Sequence, residues 1–174
     1  MSTIPWLGPD DPFPDPQTQA DPDPDVPGLL AVSERIFAGQ LDRAYRNGIF
    51  PWYSNHQPVL WWSPDPRMTL NPSDLKISRS LRKHIKACLD DPQIELRVDD
   101  RFTEVMRACA TAERVGQDGT WITHEIMDAY TKLHEQGHAH CITVHDHDQM
   151  VGGLYCVCFR SEEHTSELQS RETI

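Results

Sequence analysis

No apolar run in the 174 residues approaches the roughly 20 that a membrane-spanning helix requires. The start of the chain carries no basic segment followed by an apolar stretch, so no secretory signal is expected. Paired cysteine spacing is absent too. Cys88, Cys109, Cys141, Cys156 and Cys158 are odd in number and contain no CxxC, which argues for reduced thiols of a cytoplasmic protein rather than a disulfide frame or a zinc ribbon. Apolar residues are sparse, at 38% with a mean hydropathy of -0.58, which suits a polar globular chain without a membrane partner.

Positive charge is scarce overall, with a net charge of -11, but its distribution matters more than its sum. Residues 1–27 hold six Asp and no Lys, Arg or Glu, and residues 160–174 hold two Arg against four Glu. The body, 28–159, is nearly balanced, with 14 basic and 17 acidic residues, so a local basic patch for nucleic acid remains open.

Residues 1–27 also contain eight of the fourteen prolines, four of them in Asp-Pro pairs. Proline fixes φ and removes amide donors, so this segment is expected to be extended, poorly packed and separable, with order beginning near Gly28. Only Ile4, Trp6, Leu7 and Phe13 could anchor it. Beyond it the spacing predicts helices over 38–47, 78–89, 101–113 and 123–136, the second helix break falling at Gly116–Gly119. Strands are predicted over 59–62, 94–98, 139–144 and 150–159, the last two joined by the polar loop 145–148, while 49–53 reads as an aromatic turn.

Three groups of residues could carry chemistry. His134, Glu135 and His138 form the H-E-x-x-H pattern of a zinc hydrolase, which requires both histidines on one helical face. Gly137 is expected to stop the helix between them, which favours an ordinary helix end over a metal site. Arg79, Arg82, Lys83 and Lys86 fall at i, i+3, i+4 and i+7, so one helical stripe would present four cations, either to phosphates or simply to solvent. Trp52, Tyr53, Trp61, Trp62 and Trp121 could stack on a base, form an apolar pocket or pack in the core.

Several strings are recognisable together and in order: 44–52 (AYRNGIFPW), 60–67 (LWWSPDPR), 119–123 (GTWIT), 133–140 (LHEQGHAH) and 151–155 (VGGLY). The chain resembles bacterial leucyl/phenylalanyl-tRNA–protein transferases over about 28–159. The resemblance implies a mixed α/β (α+β) fold with a small N-terminal domain, here 28–90, then the start of a GNAT-type acyltransferase domain over 91–159. It implies transfer of Leu or Phe from aminoacyl-tRNA to the N-terminal amine of proteins beginning with Arg or Lys, which marks them for N-end rule degradation. It also implies a cytoplasmic monomer with no cofactor and no metal.

Carried over by position, Trp52 and Trp121 match residues that contact the aminoacyl-adenosine end, and Leu154 matches a residue lining the pocket for the transferred side chain. Arg79, Arg82, Lys83 and Lys86 fall in the family's tRNA acceptor-stem patch. The family's Gly-Glu-Ser-Met-Phe and Asp-Cys-Gln segments, which supply the polar groups nearest the reacting centre, do not occur in the 174 residues. The chain is therefore expected to be a C-terminally shortened and inactive member, with a non-catalytic tRNA-acceptor-binding role as the alternative. Residues 160–170 (RSEEHTSELQS) read like translated sequencing adapter, so 160–174 are expected to add nothing to the fold.

Overall fold

The computed structural model describes residues 4–18, 25–112 and 120–159. The expectations for Gly116–Gly119 and for 160–174 lie outside these residues. Among them no helix is long and apolar enough to cross a membrane.

The chain forms two sheets around one core. In the first, β1 (Trp6–Leu7) runs parallel to β2 (Leu29–Ser33), which pairs antiparallel with β4 (Val59–Trp62), itself antiparallel to β3 (Phe50–Pro51). Helix α1 (Ala38–Arg46) connects β2 to β3, buries Gln40, Leu41 and Ala44, and ends at Gly48. Gly28, at φ +83°, opens β2 where a Cβ would stand 2.8 Å from Pro64 Cα, a close approach that only glycine permits.

The second sheet has the order β5 (Ile94–Val98), β6 (Ala139–Asp146), β7 (Gln149–Val157), antiparallel throughout. Helices α3 (Phe102–Thr111) and α4 (His124–Glu135) link β5 to β6 and pack on one face of it. Thr123 Oγ1 caps α4 by accepting the Ile126 amide, and Ile126, Ala129, Tyr130 and Leu133 bury its apolar stripe. Leu7, Leu41 and Trp61 from the first unit and Val105, Ile126 and Cys141 from the second belong to a single hydrophobic cluster.

The N-terminal segment departs from expectation. Leu7 is only 7% exposed, Val32 donates its amide to Pro5, and Phe13 meets Trp61 edge-on at 4.9 Å. The stretch from Pro5 to Phe13 is therefore docked, not loose. The segment is not extended throughout: turns fall at 9–10 and 16–18, and the short extended piece Trp6–Leu7 supplies a strand edge that Leu7 and Phe13 help to seat.

The loop expected over 145–148 contracts to a two-residue turn. His147 and Asp148 both adopt positive φ, 48° and 65°, as a type I′ turn requires, so β6 and β7 each extend further into the hairpin. The aromatic turn over 49–53 contains the short strand β3.

A carboxylate fixes the junction of β5 with β6. Asp99, at φ 57°, accepts the Cys141 amide at 3.0 Å and lies 2.8 Å from His140 Nδ1. Burial alone would raise its pKa. Hydrogen bonds from His140 and Cys141, with the charges of His140 and His134, outweigh that and hold it below the usual carboxylate value. A lowered native pKa means stabilisation present above the unfolded carboxylate pKa of about 4 and lost as pH falls through the native value. Asp99→Asn, which keeps the tolerated left-handed backbone, is expected to lower the thermal midpoint at pH 7. The deficit should shrink towards zero as the pH of the melting series falls below about 4.

Candidate functional site

Where the two sheets meet, a cavity of about 600 Å³ opens between β3, α4 and β7. Its walls are aromatic: Tyr45 from α1, Phe50 and Trp52 from β3 and its exit, Trp121, Tyr130 from α4, and Tyr155 from β7. The structure thus brings together two residues that the sequence separates by 69 positions, Trp52 and Trp121. Trp52 stands at the mouth, 60% exposed, and its carbonyl accepts the indole N–H of Trp62 at 2.8 Å. Trp121 is half-buried and meets Tyr130 edge-on at 6.3 Å.

The other tryptophans separate by role. Trp61 is fully buried, its Nε1 donating to Ser33 Oγ at 2.9 Å, and belongs to the core. Trp62 supports the loop that carries Trp52.

Leu154 does not line the cavity. It projects from the opposite face of β7, 61% exposed, and Tyr155 occupies the wall instead. Successive side chains of a strand point to opposite faces, which separates Leu154 from Tyr155.

Of the lining residues that sequence reasoning did not pick out, Tyr45, Tyr130 and Arg67 carry the polar chemistry. Tyr45 and Tyr130 share a hydroxyl–hydroxyl hydrogen bond, and burial raises both pKa values, Tyr130 well above the ordinary phenol, so both stay protonated near neutrality. Two hydroxyls hold two protons and their mutual bond uses one. The second proton can serve an acceptor oxygen of a bound group. Arg67 is the only cation among the described lining residues, its guanidinium 4.8 Å above the Phe50 ring and donating to the Gly48 carbonyl. It closes the 60–67 string, one of those that carry the family resemblance. No carboxylate lines the cavity among the described residues, so the rim favours a neutral or anionic group.

The basic residues form one exposed helix. Ser78 Oγ caps α2 (Arg79–Leu89) by accepting the Leu81 amide, and no residue of the helix is buried. Arg79, Arg82, Lys83 and Lys86 project along it without an ion pair among the described residues.

The H-E-x-x-H residues do not converge. Glu135 ends α4, Gly137 turns at φ 75°, and His138 leaves the helix to stack on Phe159. His134 instead stacks on Phe102, its Nδ1 2.8 Å from the Ala139 carbonyl. Among the described residues no group of three or more His, Cys, Asp and Glu could hold a metal ion.

The fold is thus a mixed α/β one in which an aromatic cavity carries one guanidinium at its rim and α2 presents a separate exposed row of cations. Comparison with known proteins narrows the class. The family model described as leucyl/phenylalanyl-tRNA protein transferase matches residues 69–165, and the model of that family's N-terminal domain matches 38–65. The leucyl/phenylalanyl-tRNA–protein transferases of Burkholderia lata and Burkholderia multivorans are each 56% identical to this chain over 156 residues, and that of Burkholderia ambifaria is 55% identical. Each alignment covers 90% of this chain and 61% of the relative. The chain belongs to the leucyl/phenylalanyl-tRNA protein transferase family. It spans 61% of the length of the curated relatives it matches.

Proposed function

We propose that the cavity receives the aminoacyl-adenosine end of Leu- or Phe-tRNA while α2 contacts phosphates of the same molecule. The observation that carries this reading is the meeting of Trp52, Trp121, Tyr45 and Tyr130 in one cavity of nucleoside size. Flat aromatic walls offer stacking to a base or a phenyl ring, and the spare hydroxyl proton offers a donor to a ribose or ester oxygen.

In the transfer reaction, the N-terminal amine of an acceptor protein starting with Arg or Lys attacks the ester carbonyl. A C–N bond forms, the C–O bond to the ribose breaks, and the ribose oxygen takes up a proton. The contribution of the protein to such a step is orientation. The strand–helix–helix–strand–strand order from β5 to β7 supports reading this region as the start of a GNAT-type acyltransferase domain. The Gly-Glu-Ser-Met-Phe and Asp-Cys-Gln segments do not occur in these 174 residues, so the chain by itself is proposed to bind without transferring. The product would enter N-end rule degradation, in the cytoplasm.

The test is binding of a phenylalanyl-adenosine analogue with an amide in place of the ester, followed by tryptophan fluorescence. Stacking contributes on the order of 1–3 kcal/mol per ring, so Trp52→Ala and Trp121→Ala are each expected to weaken binding by about fivefold to a hundredfold. Trp6→Ala, on the exposed side of β1, should leave affinity unchanged. Equal affinities for all three variants and the parent chain would remove the cavity from the reading. A parallel assay with aminoacyl-tRNA and an Arg-starting peptide is expected to show no turnover above background.

A further inference from the structure

Arg67 is built into the rim of the aromatic cavity. Its guanidinium lies 4.8 Å above the Phe50 ring and donates from Nη1 to the Gly48 carbonyl. Both partners are neutral. A guanidinium offers five N–H donors in a planar fork, and the carbonyl engages one of them. The stack on Phe50 fixes the plane of that fork and keeps water from one side of it, so an anionic acceptor gains more here than from a freely hydrated ammonium. Burial raises the pKa of the Tyr45 phenol inside the cavity, while its bond to Tyr130 and the charge of Arg67 oppose the rise. The cation is therefore felt within the cavity and not only at its outer lip.

The ligand proposed above offers this cation one counterpart. In an aminoacyl-adenosine terminus the base, the ribose hydroxyls and the ester are uncharged, and the α-amine is positive when protonated. The negative charge resides in the phosphodiester that joins the terminal nucleoside to the rest of the tRNA. A cation in a cavity whose described lining holds no carboxylate attracts the phosphodiester and repels the amine. The chain supplies a continuation as well. Lys76 and the cations of α2, Arg79, Arg82, Lys83 and Lys86, all follow Arg67 within twenty positions. The segment that leaves the cavity rim thus leads directly to the helix proposed to meet phosphates further along the same molecule.

We propose that Arg67 is the phosphate-binding residue of the cavity: its guanidinium fork holds the phosphodiester of the terminal nucleoside at the rim and so orients the aminoacyl group away from the cation. Orientation of this kind is what the transfer step requires of the protein. The assignment rests on the reading of the cavity as the aminoacyl-adenosine site and deepens it.

The test compares two probes on the 174-residue chain. One is the phenylalanyl-adenosine amide analogue; the other is the same analogue carrying a methyl-capped phosphodiester at the position where the tRNA chain would continue. Tryptophan fluorescence at low salt gives the ratio of their affinities. In the parent chain the phosphodiester probe is expected to bind about tenfold tighter. In Arg67→Gln the two probes should bind alike, and so they should in Arg67→Met, which keeps an unbranched stem over Phe50. A ratio cancels any general loosening of the Gly48 turn that the substitutions cause. Equal affinities of the two probes in the parent chain would overturn the assignment, and this measurement stands even where a variant fails to fold. An advantage that survives in the Gln or the Met variant would overturn it too, while leaving the cavity as the nucleoside site. Absence of binding by both probes in the parent would remove the cavity reading itself, and this assignment with it.

Discussion

Deleting residues 1–18 is expected to lower the thermal midpoint by about 10 °C, because this segment is part of the core. Leu7 is buried in the shared hydrophobic cluster, and Phe13 packs edge-on against Trp61, the largest fully buried side chain. Removing both would uncover β2 and part of Trp61, at a cost of roughly 1.5–3 kcal/mol for each side chain. The backbone adds to this: Arg43 donates to the Pro9 carbonyl at 2.6 Å, and β1 extends the first sheet beyond β2. In a domain of this size each 1 kcal/mol shifts the midpoint by about 2–4 °C. Differential scanning calorimetry on the deleted and complete chains measures it directly. A midpoint unchanged within a degree or two would mean that the segment rests on the surface without stabilising it.

The same segment shows what a sequence discloses and what it conceals. Its composition pointed to extended backbone, which the structure shows at Trp6–Leu7 while turns fall at 9–10 and 16–18. Whether extended backbone docks depends on partners more than twenty residues away: Trp6 pairs with Val32 and Phe13 meets Trp61. Nothing local encodes those contacts. Helix α4 is the opposite case, because its cap at Thr123, its stripe of Ile126, Ala129, Tyr130 and Leu133, and its stop at Gly137 are all local signals.

The site divides along the same line. The residues Trp52 and Trp121 were legible through family-like strings, yet only the fold places them in one cavity. Tyr45 and Tyr130 lie in helical segments, where a tyrosine is ordinary core until its hydroxyl is found beside another. Leu154 was assigned to the pocket by resemblance, whereas Tyr155 beside it lines the cavity. A strand's alternation shows that neighbours face apart without showing which of them faces the cavity.

Replacing Arg79, Arg82, Lys83 and Lys86 with Gln is expected to weaken tRNA binding by about two orders of magnitude at low salt and to flatten its salt dependence. Helix α2 is suited to such a measurement because it carries no buried residue, so the four substitutions alter charge without disturbing the core. None of the four cations is paired with a carboxylate among the described residues, so each remains available to a phosphate. Each phosphate neutralised releases counterions, and the slope of log K against log salt changes by roughly 0.7–0.9 per contact. Four contacts therefore predict a slope about three units shallower in the quadruple variant, measured by filter binding between 50 and 200 mM salt. Loss of affinity with an unchanged slope would point to an altered helix instead of lost phosphate contacts. If affinity and slope both stay as they are, the stripe is a solvated face and the tRNA lies elsewhere on the protein. Circular dichroism of the variant separates these outcomes from helix loss, since Ser78 still caps α2 and glutamine keeps a good helix propensity.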